Sequence, residues 1–501
     1  MTQDFDVLVV GGGINGAAIA RDAAGRGAHV LLVEKDDLAS HTSSASTKLI
    51  HGGLRYLEHY EFRLVAESLA ERERLARAAP HLIRGLRFVL PHDRDMRPKW
   101  LMRVGLFLYD RLGGRSSLPK SGSVDLRHSP LGAPLKPEHD YGFVYSDCWG
   151  DDSRLVVANA RDAADRGARI ETRTRLVAAA RRDGCWDATI VSDGSGMRTV
   201  RARVLVNATG SWAADFLPAL AGLPGSGALR LVKGSHIVTR RLYDGDHAYM
   251  LQNKDRRIIF VIPYEEDFTL IGTTDVAWQG PVGDVVPDGS EIEYLCSSVS
   301  RWFADAVTPD NVVASFAGLR PLYDDDEANP SEVSRDYVLA LDDDGAPVLS
   351  VFGGKLTTHR ALGQRVVDML APFFPEFGAA WTSDAAFPGG DIAIGGLAQL
   401  IQRVRSRAPF LDARTAQRMV ESYGTRTDRI LGDAANLEDL GEDFGEGLTQ
   451  AEIDYLVREE WAMTAEDILW RRSKLGLRFK PEGIGRVTAY LNRQDHKTLY
   501  A

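Results

Sequence analysis

The sequence predicts an α/β protein, α+β in its overall organisation: a doubly wound sheet domain interrupted by a mixed-sheet cap and followed by a helical domain. Three observations predict it. An apolar strand, a glycine turn and an alanine-rich helix open the chain, strand-forming residues dominate 229–275, and helical patterns fill the chain after residue 388. A chain of 501 residues has room for two or three such domains.

The first element is a strand–turn–helix unit that carries the glycine pattern of a dinucleotide site. Gly11 permits the tight turn, Gly13 lets the backbone approach a pyrophosphate, and Gly16 lets the helix pack closely on the strand. A second apolar strand follows and ends at Glu34, where a carboxylate can accept the hydroxyls of an adenosine ribose. A carboxylate disfavours a 2′-phosphate, so the pattern favours FAD or NAD over NADP.

Later elements follow from hydrophobic period and turn residues. Helices are predicted at 62–79, 98–112, 152–166, 290–306, 396–407, 411–423, 449–475 and 484–493. Strands are predicted near 174–181, 186–192, 198–201 and 204–210, and a strand–turn–helix unit spans 346–371. The resulting domain prediction is a discontinuous sheet domain of 1–80, 145–228 and 312–375, a cap of 81–144 and 229–311, and a helical domain of 388–501.

Composition narrows the class of protein. The net charge of −10 argues against general nucleic-acid binding. The three cysteines form no metal or disulfide pattern, which predicts no metal site and indicates a reducing, cytoplasmic compartment. The first strand starts at once, so no signal peptide is expected, and no apolar run is long enough to span a membrane.

One segment departs from this acidic balance. Between residues 84 and 120 there are nine Lys or Arg and three acids, and the predicted helix 98–112 combines these charges with Trp, Leu and Phe. Such a helix lies in a membrane interface in some proteins. A core helix with a solvated basic edge has the same pattern, and the residues alone leave both interpretations open.

Several longer motifs point to one family. The stretch SSASTKLIHGGLRYL at 43–57 is the most specific, and further motifs lie at 145–149, 206–210, 233–238, 271–275, 318–322, 351–358 and 439–445. With the glycine turn, they make the chain resemble the FAD-dependent glycerol-3-phosphate dehydrogenases, within the D-amino-acid-oxidase-like flavoproteins, over nearly its whole length. The resemblance implies a Rossmann-like FAD domain and FAD as the cofactor.

The resemblance also implies site residues, and the residue types suit those roles. Arginine binds phosphate through two parallel hydrogen bonds, and histidine is the usual general base near neutral pH. The predicted catalytic residues are His236, favoured over His51 as the base, and Arg320. Substrate-binding residues are predicted to be Arg55, Tyr56, Arg320, Lys355 and Thr358. Cofactor-binding residues are predicted to be Gly11, Gly13, Ile14, Asn15, Gly16, Glu34, Ser43, Ser46, Lys48, Leu49, Ala208, Gly210, Gly354, Lys355, Leu356 and Thr357.

The implied reaction is oxidation of sn-glycerol 3-phosphate to dihydroxyacetone phosphate, with electrons passing from FAD to membrane quinone. The resemblance favours a membrane role for 98–112 and a peripheral position on the inner face of the cytoplasmic membrane. Two alternatives stay open: an oxidase that reduces dioxygen, and a flavin-binding protein with a regulatory partner. The oligomeric state also stays open, a homodimer being one option.

Overall fold

The computed structural model describes residues 3–193, 196–223, 225, 228–255, 257–283, 285–323 and 336–494. The strands are β1 Gln3–Val10, β2 Val30–Val33, β3 Leu49–Ile50, β4 Ile83–Pro91, β5 Gly122–Asp125, β6 Tyr141–Gly150, β7 Arg169–Glu171, β8 Thr174–Arg182, β9 Cys185–Ser192, β10 Gly196–Asn207, β11 Leu229–Arg240, β12 Ala248–Gln252, β13 Ile258–Tyr264, β14 Phe268–Gly272, β15 Val276–Ala277, β16 Val312–Tyr323, β17 Val338–Asp342, β18 Val348–Phe352, β19 Asp443–Gly445 and β20 Leu448–Thr449. The α-helices are α1 Ile14–Gly25, α2 Phe62–Ala78, α3 Lys99–Leu112, α4 Asp152–Asp165, α5 Ala213–Ala221, α6 Gly289–Trp302, α7 His359–Leu370, α8 Leu397–Arg407, α9 Ala413–Tyr423, α10 Thr427–Leu431, α11 Gln450–Glu460 and α12 Pro481–Arg493.

The first sheet has the strand order β17-β18-β10-β1-β2-β7. Neighbours from β18 to β7 run parallel, β17 is antiparallel to β18, and β8 and β9 extend from β10. In β1, Val7 and Val9 pack with α1, α4 and α7, whereas Leu8 and Val10 pack with α5, β8 and β9. A parallel strand buried on both faces is apolar throughout, which explains the run that opens the sequence and confirms the predicted α/β class.

The second sheet has the order β15-β11-β14-β13-β12-β4-β6-β3, with β16 paired to β11 and β5 to β6. Its pairs are antiparallel except β12 with β4, so the predicted mixed sheet is present. Three strands that the domain prediction places wholly or partly in the first domain pair within this sheet: β3, β6 and the long strand β16. Hydrophobic pattern shows that a segment is a strand but not which strand it pairs with, because pairing is decided by tertiary contacts.

The helical region after residue 388 has its own apolar core, formed by α8 to α12 and the loops between them. The predicted continuous helix 449–475 is wrong. Helix α11 ends at Glu460, because Trp461 adopts a left-handed conformation with φ of 57°, and a separate π-helical turn follows over Asp467–Arg472. Likewise, the strands predicted at 198–201 and 204–210 are one strand, β10.

Buried ion pairs join this helical region to the first sheet. Asp37, which follows β2, accepts hydrogen bonds from Arg471 Nε at 2.7 Å and from Arg472 Nη1 and Nη2 at 2.7 and 2.8 Å. Arg154 of α4 pairs with Glu460, Nη2 lying 2.9 Å from Oε1. The helical region is therefore anchored beside the end of β2, next to Glu34.

Candidate active site

The glycine turn after β1 has the shape that the sequence predicts. Gly11 has a φ of +113°, and a Cβ there would overlap the carbonyl oxygen of Ala208. A Cβ on Gly16 would overlap the carbonyl oxygen of Gly11, so the helix could not come as close to the turn with a larger residue. A cavity of 470 Å³ opens beside this turn, and its lining includes Gly13 and Gly210.

Glu34 lines the same cavity from the end of β2. Its Oε2 accepts a hydrogen bond from Gly12 N at 2.6 Å, and its Oε1 accepts one from Asp36 N at 2.9 Å. Burial raises the pKa of this carboxyl, while the two backbone donors lower it. Each oxygen keeps a second lone pair, which an adenosine ribose hydroxyl can use.

These features fit a dinucleotide such as FAD. The glycine turn leaves a cradle that side chains would fill, and the first turn of α1 presents backbone N–H groups beside it. Ile14 N donates to Ser43 Oγ at 3.0 Å, so Ser43 lies at the start of the helix. Asn15 Nδ2 donates to Gly353 O at 3.0 Å and thereby binds the late glycine turn, which includes Gly354, to α1.

Two predicted cofactor residues have another partner. Ser46 Oγ donates to Asp152 Oδ2 at 2.7 Å, and Lys48 Nζ forms a fully buried ion pair with Asp152 Oδ1 at 2.8 Å. Both side chains therefore contact the start of α4. Asp152 does not stand out in the sequence, because an acid at the first turn of a helix is also what helix capping requires. Leu49 is buried in the core of the second sheet.

A second group of predicted residues meets where β3 approaches α7. Thr357 Oγ1 accepts from His51 N at 3.1 Å and donates to His51 O at 3.2 Å. Lys355 Nζ lies 4.0 Å from the centre of the Tyr56 ring. The structure thus brings together two motifs about 300 residues apart in sequence, as the 306-residue separation of this hydrogen bond shows. Thr358 is buried at the N-cap of α7, Leu356 is half-buried beside it, and Arg55 is half-buried in the turn Leu54–His59.

The third group lies on the second sheet. His236 is buried, stacks on Phe316 with ring centres 4.9 Å apart, and places Nε2 2.9 Å from Thr47 Oγ1. Its Nδ1 has no hydrogen-bond partner among the described residues. Burial, together with the positive charges of Arg320 and Lys48, holds the pKa of His236 well below its usual range. The imidazole is therefore neutral at physiological pH and able to accept a proton.

Arg320 lies on the neighbouring strand β16, opposite Val232 and on the same face of the sheet as His236. Its Nη2 donates to Thr273 Oγ1 at 2.9 Å, and its Nη1 forms an ion pair with Asp275. A Cβ at Gly234 would overlap the guanidinium, so the glycine lets Arg320 lie flat across β11. Thr47, Thr273 and Asp275 stand inside quoted motifs, but the sequence analysis assigned them no role because a hydroxyl or acid in a loop has many ordinary uses.

A parallel sheet with a glycine cradle, a buried acid after the second strand and a neutral histidine on an adjoining mixed sheet define a two-domain flavin-dependent oxidoreductase. Comparison with known proteins agrees. Residues 6–360 match the FAD dependent oxidoreductase family, and residues 380–485 match the C-terminal domain of alpha-glycerophosphate oxidase. The chain belongs to the FAD-dependent glycerol-3-phosphate dehydrogenase family, as its motifs predicted, and its cofactor is FAD.

Individual relatives cover almost all of the chain. It is 51% identical over 474 residues to D-erythritol 1-phosphate dehydrogenase of Brucella abortus, covering 94% of each chain. It is 49% identical to glycerol-3-phosphate dehydrogenase of Pseudomonas aeruginosa, covering 99% of this chain and 96% of the relative. The crystal structure of glycerol-3-phosphate dehydrogenase from Bacillus halodurans complexed with FAD superposes with a TM-score of 0.75 at 25% identity, covering 98% of this chain and 94% of that chain.

Proposed function

We propose that the protein oxidises sn-glycerol 3-phosphate to dihydroxyacetone phosphate. The observation that carries the proposal is the buried His236 on the same face of the sheet as Arg320, whose positive charge helps to hold the pKa of His236 well below its usual range. A neutral imidazole accepts the hydroxyl proton, and a nearby fixed cation stabilises the alkoxide as it forms. FAD, when bound, supplies the two-electron acceptor for the hydride from carbon 2.

The residues of the site have two tasks: one group accepts the proton, and another binds the phosphate. Thr47 Oγ1 orients the ring of His236 by contacting Nε2. Arg55 and Lys355, from the two motifs that Thr357 joins to His51, provide cations for the phosphate. The phosphate and the reacting hydroxyl are thereby held by different motifs, so the substrate is oriented as well as bound.

The test is reduction of the flavin without oxygen. Adding sn-glycerol 3-phosphate to the purified holoenzyme under anaerobic conditions should bleach the visible flavin band. A quinone analogue should restore the band quickly and air only slowly. Fast restoration of the band by air would favour the oxidase. A flavin that stays unbleached would exclude sn-glycerol 3-phosphate as the substrate. A flavin that no polyol phosphate bleaches would favour the flavin-binding protein with a regulatory partner.

A second substrate has specific support. D-erythritol 1-phosphate dehydrogenase of Brucella abortus is as similar to this chain as the glycerol-3-phosphate dehydrogenases are. Both substrates present a phosphate and a secondary alcohol, so the same cations and base would serve. Bleaching rates at equal concentrations of the two phosphates measure the preference. Higher kcat/KM for D-erythritol 1-phosphate would assign the longer polyol and leave the roles of His236 and Arg320 unchanged.

We further propose that α3 docks the enzyme on an anionic membrane, which would bring bound FAD close to a quinone acceptor. Leu106 and Tyr109 are the residues of α3 that are buried, whereas Trp100 is 68% and Phe107 53% exposed. Basic side chains flank this apolar face, among them Arg103 and Arg111. A core helix would bury its aromatic residues, so the exposure favours the interfacial interpretation.

Sedimentation with vesicles tests the docking. The holoenzyme should sediment with phosphatidylglycerol vesicles and remain in solution with phosphatidylcholine alone. Phe107→Glu should weaken the association, because it places a charge in the apolar face. Ile394→Glu is the matched control, because Ile394 is an apolar residue that is 89% exposed and lies outside α3, in the helical region. Equal loss in both variants, or none in F107E, would overturn the assignment.

No helix within the described ranges is long and apolar enough to cross a membrane.

A further inference from the structure

We propose that Glu291, near the start of α6, is a positioning residue of the active site. It contacts neither His236 nor Arg320, but it binds the two segments that carry or hold them. The inference rests on the proposed oxidation of a polyol phosphate at those residues. It adds a residue that lies outside every motif of the sequence analysis.

The carboxylate of Glu291 has all its acceptor positions filled. Its Oε1 accepts from Ser235 Oγ at 2.8 Å and from Thr274 Oγ1 at 2.9 Å. Its Oε2 pairs with Lys233 Nζ at 2.7 Å and accepts from Asp288 N at 3.1 Å. Glu291 is 5% exposed, so these four contacts replace water rather than compete with it.

The partners of Glu291 alternate with residues of the active site. Along β11, Lys233 and Ser235 face Glu291, whereas Gly234 and His236 face Arg320 and Phe316. Successive side chains of a strand point to opposite faces. Glu291 therefore acts from the reverse face of the sheet and cannot touch a substrate held at His236.

The turn that holds Arg320 alternates in the same way. Thr273 and Asp275 bind the guanidinium, and Thr274 between them binds Glu291. Ser235 N also donates to Thr274 Oγ1 at 2.9 Å, so the turn is bound to β11 by both a backbone and a side-chain contact. Glu291 thus joins β11 and the turn through one buried carboxylate.

Lys233 is the charged partner of Glu291. Burial lowers the pKa of Lys233, but the hydrogen bonds to Glu291 and Asp288 and the negative charges of both acids raise it by more. The Lys233 side chain is nearly buried, so its ammonium group needs an acidic partner close by. Replacing Glu291 by alanine would leave Lys233, Ser235 and Thr274 without their shared acceptor.

Kinetics of flavin bleaching test the role. Glu291→Ala should lower the anaerobic bleaching rate by about 10- to 100-fold, because a shift of about 1 Å in a reacting group costs that much. Glu291→Gln keeps one acceptor for Lys233 and can donate to the Ser235 hydroxyl, so it should restore most of the rate. Glu293→Ala, an exposed acid on the same helix, is the matched control and should bleach normally.

A double-mutant cycle separates positioning from general damage. If Glu291 acts through Arg320, E291A should cost little more in an Arg320→Ala background than R320A costs alone. Single-turnover bleaching can be followed for hours, so even the slow variants give a rate. An equal factor in both backgrounds would contradict action through Arg320, and wild-type kinetics in E291A would overturn the proposal outright.

Hydrogen exchange gives a readout that needs no substrate. Peptides covering 231–238 and 271–277 should exchange faster in E291A than in E293A, while a peptide from β10 in the first sheet should be unchanged. Unchanged exchange in the two peptides would overturn the proposal. A wild-type enzyme that neither polyol phosphate bleaches would instead refute the proposed function, and the exchange result would still decide whether Glu291 holds this turn.

Discussion

At the scale of single residues, the site depends on side chains that burial has changed. His236 is an ordinary histidine in the sequence, but in the fold its ring is sealed between Phe316 and Thr47 beside two cations. Arg320 is one of many arginines, but its guanidinium group is held in place by Thr273 and Asp275. Position in the fold, rather than residue type, distinguishes both from their surface counterparts.

Replacing Arg320 should separate chemistry from cofactor binding. Arg320→Ala should lower kcat/KM by about 10²- to 10³-fold, as the loss of one group that stabilises a developing oxyanion does. Bound flavin should remain, because the glycine cradle and Glu34 are untouched. Steady-state kinetics and the flavin-to-protein absorbance ratio measure the two effects. Arg257→Ala, an exposed arginine paired with Asp255, is the control. Near-normal activity in R320A would remove Arg320 from the site.

The lowered pKa of His236 makes a prediction about pH. The base works in its neutral form, which predominates above its pKa. Because that pKa lies well below 6.5, kcat/KM should stay level from pH 8 down to about 6.5 and fall only at lower pH. The substrate phosphate also ionises near pH 6, and its effect on kcat/KM is the same for the wild-type enzyme and for any variant. A falling limb centred at or above pH 6.5 would contradict a buried, cation-flanked base.

At the scale of elements, α1 and the turn before it show how local sequence produces a binding site. The helix comes close to the turn because Gly16 has no side chain between it and Gly11. The same approach exposes the first N–H groups of α1 to the cavity. Strand β11 is a second example, because its alternation separates an active face from a face bound by α6.

Substituting this glycine should disturb both packing and cofactor. Gly16→Ala would overlap the carbonyl oxygen of Gly11, so the free energy of unfolding should fall by about 1–3 kcal/mol and flavin content should drop. Thermal unfolding and the absorbance ratio measure these changes. Gly105→Ala in α3 is the control, because nothing lies within 4 Å of its added methyl group. Full flavin content in G16A would show that the turn can relax without loss.

At the scale of the whole molecule, the helical region has an apolar core of its own and is joined to the flavin domain by buried charges, with Trp461 packing against the core of the first sheet. Its core residues all lie between 400 and 491. Asp37, three residues after the predicted ribose ligand Glu34, binds Arg471 and Arg472. The loop after β2 therefore has two tasks. Asp37 attaches the helical region, and Glu34 is the predicted ligand of the adenosine ribose.

Removing this charge should loosen the attachment. Asp37→Asn removes the buried carboxylate that Arg471 and Arg472 share, although Arg471 keeps its pairs with Glu466 and Asp467. Breaking this buried contact should lower the free energy of unfolding by about 3–5 kcal/mol. Urea unfolding followed by fluorescence measures the loss, and a separate early transition would identify the helical region. Asp368→Asn is the control, since its half-exposed pair with Arg26 should contribute at most about 1 kcal/mol. Equal losses in the two variants would contradict this account.

The sequence by itself determined the local features: the glycine turn, Glu34 at the end of β2, the apolar strands, most helices and the family to which the motifs belong. These features depend on neighbours within a few residues, so their physical causes are visible in the chain. Tertiary structure alone decided that β3, β6 and β16 join the second sheet, that Lys48 pairs with Asp152, and that Glu291 holds Thr274. These contacts join residues from 17 to 104 positions apart, and their energy depends on burial and on partners that no local pattern specifies.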